Sequence, residues 1–246
     1  MNPKIIFFDL DDTLYFRRDA FYLAFDEYFK GCGFVKSVEF KTHANDTCIK
    51  RGDEVFYLAQ RGVITQQEMY AYRFQNGFKD VGISLTEKEA LDFHAIYKNH
   101  LYSLKLNDDV IQMLDFAKEN FFALGIITNG PSSHQRNKIN NLGLEKWISP
   151  ELIVVSGEFG IDKPDTRIFE VAAKKAEEYL SAHCDVHREI YFLDVPGGEK
   201  VSDAKNLIMI GDSLKNDIEP AQSLGWNTIF LKEDIKQIIE ELKRYC

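Results

Sequence analysis

The chain has 246 residues, 45% of them hydrophobic and 28% charged, with a formal net charge of -9. That is enough apolar material for one large α/β domain, or for a core domain carrying a smaller inserted one, without disulfide staples. The negative charge and the lack of a basic stripe argue against binding extended nucleic acid, whereas a small anionic substrate needs only local positive charge. Cys32, Cys48, Cys184 and Cys246 show no C-x-x-C spacing, so neither a zinc site nor a disulfide framework is indicated and reduced thiols are expected. No apolar run approaches the ~20 residues of a membrane span, and the chain enters a strand motif at its start in place of a signal peptide. A soluble cytoplasmic protein with no membrane partner is the expectation.

In chain order, Lys4-Ile5-Ile6-Phe7-Phe8 is a short apolar run ending in Asp9, the pattern of a strand buried on both faces. Residues 16–105 contain no clear strand but several amphipathic patterns, among them Phe21, Leu23, Phe25, Tyr28 and Phe29, and later Leu91, Phe93, Ile96, Tyr97 and Leu101. They predict an all-helical insertion after the first strand. Asn107 or Asp108 caps a helix over Val110 to Lys118, and strand-like runs then recur from Phe121 to Thr128, Leu152 to Ser156, Leu207 to Gly211 and Trp226 to Leu231. Gly143 ends the helix after Ser133, and the stretch from Asp165 to Leu180 puts Ile168, Phe169, Ala172, Ala176 and Leu180 on one face. Alternating strands and helices predict an α/β fold with a doubly wound parallel sheet. Residues 181–205 break the rhythm, with Pro196-Gly197-Gly198 after a strand-like Glu189 to Leu193, and read as a hairpin or ordered loop in an extension of the core.

Sites in open α/β sheets form at the carboxyl ends of the strands. The first strand ends Asp9-Leu10-Asp11-Asp12-Thr13, and i, i+2 spacing in an extended segment turns Asp9 and Asp11 to one side, where the carboxylates repel unless a proton or a cation intervenes. The second ends Thr128-Asn129-Gly130, a hydroxyl, an amide and backbone N–H groups at a helix start, able to hold phosphate oxygens. After the third, Lys163 lies in Gly160-Ile161-Asp162-Lys163-Pro164-Asp165; the fourth ends Gly211-Asp212-Ser213-Leu214-Lys215-Asn216-Asp217, whose hard carboxylates suit Mg²⁺. Singly, each has an ordinary structural account: an acidic turn, a chain reversal, a solvated lysine, a helix cap. Their order at four successive strand ends is hard to obtain by accident.

Together these motifs resemble the haloacid dehalogenase superfamily of phosphohydrolases: Asp9 to Thr13 matches its nucleophile motif, Thr128 the second, Lys163 the third, and Asp212 with Asp217 the acidic fourth. The resemblance covers the whole chain. It implies a core over 1–15 and 106–246 and a helical cap of the first type over 16–105. Around Thr128 and Lys163 the chain is most similar to the branch of pyrimidine 5′-nucleotidases and acylneuraminate phosphatases; the 181–205 extension departs from that pattern. By resemblance, Asp9 is the nucleophile and Asp11 the general acid. Lys163, Thr128 and the Asn129 N–H hold phosphate oxygens. Mg²⁺ is the cofactor, held by the carboxylates of Asp9 and Asp212 and the Asp11 carbonyl, with Asp217 orienting a ligand. The implied substrate is a small phosphorylated metabolite.

Other reactions fit less well. Halide displacement needs neither a metal nor an acid, and a phospho-acceptor module leaves the insertion and Asp11 without a job; a phosphomutase shares the first half-reaction. A metal role for His183, Cys184 and His187 finds no further ligands nearby. Tyr15, Phe16, Arg17 and Arg18 read as hinge packing beside a solvated basic pair or as substrate contacts. Tyr57, Tyr70, Tyr72 and Phe74 could stack a base or form the insertion's own core.

Overall fold

A computed structural model of the chain describes residues 4–31, 37–183, 204–232 and 234–246. It separates into two compact units, one of residues 1–15 with 105–246 and one of residues 16–104. Most of the 181–205 segment, including Cys184, His187 and the Pro196-Gly197-Gly198 turn, lies outside the described residues.

In the first unit, β1 (Ile5–Phe8), β2 (Ala123–Thr128), β3 (Ile153–Val155), β4 (Leu207–Gly211) and β5 (Asn227–Phe230) form a parallel sheet in the order β3-β2-β1-β4-β5. All pairings are parallel, with Phe8 opposite Ile126 on one side and Ile210 on the other. β1 to β4 are buried along their length, which is why they read as unbroken apolar runs. Ile5, Phe7, Leu207 and Met209 share a core with Ile168, Phe169, Ala172 and Ala176 and with Trp226, whose ring lies 5.6 Å from Phe7 and 5.7 Å from Phe169. The intervening Ile6, Phe8, Ile208 and Ile210 are also buried and point to the opposite face.

Helices before the first unit's own begin with α1 (Arg17–Tyr28), α2 (Val38–Gln60), α3 (Gln66–Asp80) and α4 (Glu87–Ser103), all in the second unit. They are followed in the first unit by α5 (Asp108–Asn120), α6 (Ser132–Asn141), α7 (Ser156–Phe159), α8 (Thr166–His183), α9 (Glu219–Ser223) and α10 (Ile235–Leu242). The Asn107 side chain accepts from Val110 N at 2.8 Å and starts α5, and Gly143 (φ 64) takes the left-handed turn just past α6. The third strand stops one residue short of the expected Ser156, which opens α7 instead. Leu180, expected on the inner face of α8, is only partly buried.

The second unit, described by itself, is helical among its described residues. Thr65 with Glu68 and Thr86 with Glu89 form capping boxes that start α3 and α4. Its centre is aromatic: Phe21, Phe25, Phe74, Phe78 and Phe93 are buried, and the Phe78 and Phe93 rings meet edge-on at 4.8 Å. A Cβ on Gly77 would lie 2.5 Å from Cys48 Cα and Sγ, so the close crossing of α2 and α3 requires glycine there. Of the aromatics considered for base stacking, Phe74 is core, Tyr70 stacks on His94 at 3.8 Å, Tyr72 donates to Glu54 at 3.0 Å and Tyr57 is exposed. No helix among the described residues is long and apolar enough to cross a membrane.

Candidate active site

β1 delivers Asp9 at the carboxyl edge of the sheet, its backbone N–H donating to Ile210 O at 2.8 Å. β4 delivers Asp212, and a single π-helical turn over Leu214–Ile218 brings Asp217 back beneath it. Carboxylate oxygens of Asp9, Asp212 and Asp217 lie within 4.8 Å of one another, Asp9 and Asp217 being buried. Into this cluster comes Lys163, whose ammonium donates to Asp9 Oδ1 at 2.5 Å, Asp217 Oδ1 at 2.6 Å and Ile127 O at 3.0 Å. Each of its three hydrogens has an acceptor. Asp217 Oδ2 accepts from Ser213 N at 3.0 Å, and Thr13 Oγ1 donates to Asp212 Oδ1 at 3.4 Å, tying the first motif to the fourth. A Cβ on Gly211 would collide with the Asp217 carboxylate, so glycine is what admits that side chain under β4.

Burial pushes the Asp9 carboxyl up to about 7; Lys163 pulls it down, but Asp217, Asp11 and Asp212 push it up again. For Lys163 burial acts downward, yet Asp9 and Asp217 outweigh it and hold the ammonium above the usual lysine range. Both shifts arise where Asp9, Asp217 and Lys163 are buried together.

The second motif divides its labour. Asn129 spends its side chain on the Lys163 loop, Nδ2 donating to Lys163 O and Oδ1 accepting from Lys163 N, both at 2.8 Å. Only its backbone is left for the phosphate role the sequence assigned. Gly130 N donates to Ser156 Oγ at 2.9 Å, which anchors the turn to the end of β3. Thr128 Oγ1 lies 2.5 Å from Gln135 Nε2.

Asp11 is held by side chains of α6, while its charge still acts on Asp9. Lys138 Nζ donates to its Oδ1 at 2.6 Å and Oδ2 at 2.8 Å, Gln135 Nε2 donates to Oδ2 at 2.9 Å, and the Tyr15 hydroxyl donates to Oδ1. Gln135 and Lys138 are buried, as is Tyr15. Sequence reasoning missed Gln135 and Lys138. A signal existed: Ile139 is the lone apolar residue of α6, so polar side chains had to supply the rest of its inner face.

The haloacid dehalogenase-like hydrolase family matches this chain over residues 3–225. The chain belongs to that family. Among curated relatives, it is 28% identical over 137 residues to the glyceraldehyde 3-phosphate phosphatase of Methanopyrus kandleri, a match covering 56% of this chain and 48% of that protein. It is 28% identical over 108 residues to the pyrimidine 5′-nucleotidase YjjG of Escherichia coli, covering 44% of this chain and 37% of that protein. These alignments thus span about half or less of the relatives' length. In structure it resembles the magnesium-bound HAD-hydrolase YfnB of Bacillus subtilis, with TM-score 0.62 and 22% identity over 94% of this chain and 89% of that one. At that identity the likeness is one of fold.

For this haloacid dehalogenase-like hydrolase, the donor set fits a hard divalent cation. Three carboxylates offer oxygen alone, two of them are buried, and Lys163 neutralises only part of their charge. Asp9 and Asp212 are the natural direct holders. Asp217 already has one oxygen on Ser213 N and the other on Lys163, so it suits a role behind them. The Asp11 side chain is committed to α6, which leaves its main-chain carbonyl for the metal role assigned from the sequence.

Proposed function

We propose that the chain is a Mg²⁺-dependent phosphomonoester hydrolase that forms an aspartyl-phosphate on Asp9. The observation that carries this reading is the pairing of Lys163 with both Asp9 and Asp217 at the strand ends, while Asp11 is held separately on α6. A carboxylate attacks a phosphate dianion only if their repulsion is cancelled, and Lys163 places a fixed positive charge 2.5 Å from Asp9 Oδ1. Mg²⁺ on Asp9 and Asp212, when bound, supplies the remaining charge neutralisation.

Asp9 then attacks phosphorus, the ester P–O bond breaks, and Asp11 gives its proton to the departing alkoxide. In the second half Asp11 takes a proton from the water that cleaves the phospho-aspartate, releasing phosphate and restoring Asp9. The Thr128 hydroxyl is suited to a phosphate oxygen. Gln135 Nε2 donates and cannot accept, so the Thr128 hydroxyl beside it directs its own hydrogen elsewhere. Dehalogenation leaves Asp11 and its surroundings without a task.

The substrate is a small phosphorylated metabolite, with pyrimidine nucleoside 5′-monophosphates first and sugar, triose or acylneuraminate phosphates next. By the family resemblance, the helical unit over 16–104 is assigned the role of a substrate-selecting cap. A screen of phosphorylated metabolites with Mg²⁺ tests this. Release of phosphate from several small monoesters supports the reading, and kcat/KM for UMP and dUMP well below that for sugar phosphates removes the nucleotidase assignment alone. Halide release from 2-haloacids without phosphate release from any ester overturns the whole.

A further inference from the structure

The pair Gln135 and Lys138 has no part in the motifs that define the site, yet both side chains are buried at its edge. They stand i, i+3 on α6 and so share one face of that helix. Lys138 bridges both oxygens of Asp11 at 2.6 and 2.8 Å, which fixes the plane of the carboxylate as well as its position. Gln135 Nε2 reaches Asp11 Oδ2, Thr128 Oγ1 and Asn129 O, at 2.9, 2.5 and 2.8 Å. Asn129 O only accepts, so the amide must present its nitrogen here. Its Oε1 is buried and has no hydrogen-bond partner among the described residues, an arrangement that costs stability. The helix gives up a satisfied acceptor to bring a donor to Asp11 and Thr128.

We infer that Lys138, with Gln135, is a positioning residue that holds the Asp11 carboxyl in register with the Thr128 hydroxyl, and so sets the reach of Asp11 to the leaving-group oxygen. This rests on the reading of Asp11 as the proton donor. Proton transfer requires heavy atoms within about 3 Å, so freeing the Asp11 side chain is felt where the leaving group needs a proton and little where it does not. Without Lys138, Tyr15 still reaches Oδ1 and Gln135 still reaches Oδ2, but Gln135 divides two hydrogens among three oxygens, so Asp11 is held less firmly.

The test compares Lys138→Met, Lys138→Arg, Asp11→Asn and the Asp11→Asn/Lys138→Met double variant on glycerol 3-phosphate and p-nitrophenyl phosphate, together with inhibition by inorganic phosphate. Lys138→Met is expected to lose about 10-fold or more in kcat on the alkyl ester and about 3-fold or less on the aryl ester, with the phosphate inhibition constant unchanged. Lys138→Arg restores part of the difference, and Lys138→Met adds nothing to it in the Asp11→Asn background. Equal losses on both esters mean a structural role only and overturn the inference. A phosphate inhibition constant raised about 10-fold means direct contact with substrate and does the same. A selective loss in Asp11→Asn but not in Lys138→Met overturns it while leaving the acid role of Asp11 intact; no selective loss in either overturns both.

Discussion

Replacing Lys163 by methionine keeps the side chain's length and apolar stem and deletes the charge that Asp9 and Asp217 share. Both carboxylates are buried, with side-chain exposures of 8% and 1%, so solvent screens the loss poorly. Removing one partner from a buried ion pair costs about 3–5 kcal/mol. An independent ceiling agrees: a stranded aspartate escapes by taking a proton, which at pH 7 costs about 4 kcal/mol at 1.36 kcal/mol per unit from its ordinary value. Asp9 already sits at about 7 and takes up its proton readily, so the cost is mainly that of leaving buried Asp217 without its ammonium partner. At about 2–4 °C per kcal/mol for a chain of this size, the metal-free variant should melt about 6–20 °C below the wild type. Trp147 and Trp226, the chain's two tryptophans, are buried in the α/β unit, so tryptophan fluorescence reads the unfolding of that unit directly. The deficit should shrink between pH 8 and pH 5, because protonation of the stranded Asp9 becomes cheaper. Adding Asp217→Asn should restore part of it. A melt within about 2 °C of the wild type at pH 8, or a deficit that grows on acidification, refutes the electrostatic account.

Three further outcomes follow from the same cluster. Asp9 titrates at about 7 without metal, so below that pH a cation must displace a proton. Calorimetric Mg²⁺ affinity should therefore fall by up to about tenfold per unit below pH 7 and level off above it, and a flat profile from pH 6 to 8 contradicts Asp9 as a ligand. Asp212→Ala should raise the Mg²⁺ concentration needed for half-maximal activity, and activity persisting in excess chelator with metal removal verified would exclude the site. Gly211→Ala puts a Cβ into the Asp217 carboxylate, with an expected cost of about 1–3 kcal/mol in the fluorescence melt and a higher Mg²⁺ requirement. Unchanged stability and metal dependence would mean that Asp217 has room to move.

β1 to β4 were legible because a strand buried on both faces leaves a local signature, an unbroken apolar run such as Ile5 to Phe8 or Leu207 to Gly211. Asn107 and Gly143 were legible for the same reason, since caps act within a few residues of themselves. The polar residues at the strand ends could be singled out because topology dictates where such ends meet. Their partners could not. Asn129 pairs with Lys163 across 34 residues, and Gln135 and Lys138 meet Asp11 across 124 and 127, contacts that no periodicity encodes. An i, i+2 argument turned Asp11 to the side of Asp9, and its charge does act on Asp9, but the α6 donors that hold its carboxylate are not visible in the strand pattern. Short elements were also hidden: α7 and the π-helical turn at Leu214–Ile218 are too brief to show a hydrophobic period.

The central claim is that Asp9 carries the phosphoryl group, and acid quenching during turnover tests it most directly. With the best substrate of the metabolite screen and Mg²⁺ present, peptide mass spectrometry should find one phosphoryl group on the Asp9 peptide of the wild type. Asp9→Asn should remain folded by tryptophan fluorescence, bind inorganic phosphate, carry no phosphoryl group and lose essentially all turnover. Turnover near the wild-type rate in Asp9→Asn, or a phosphoryl group trapped on another residue, would contradict the account.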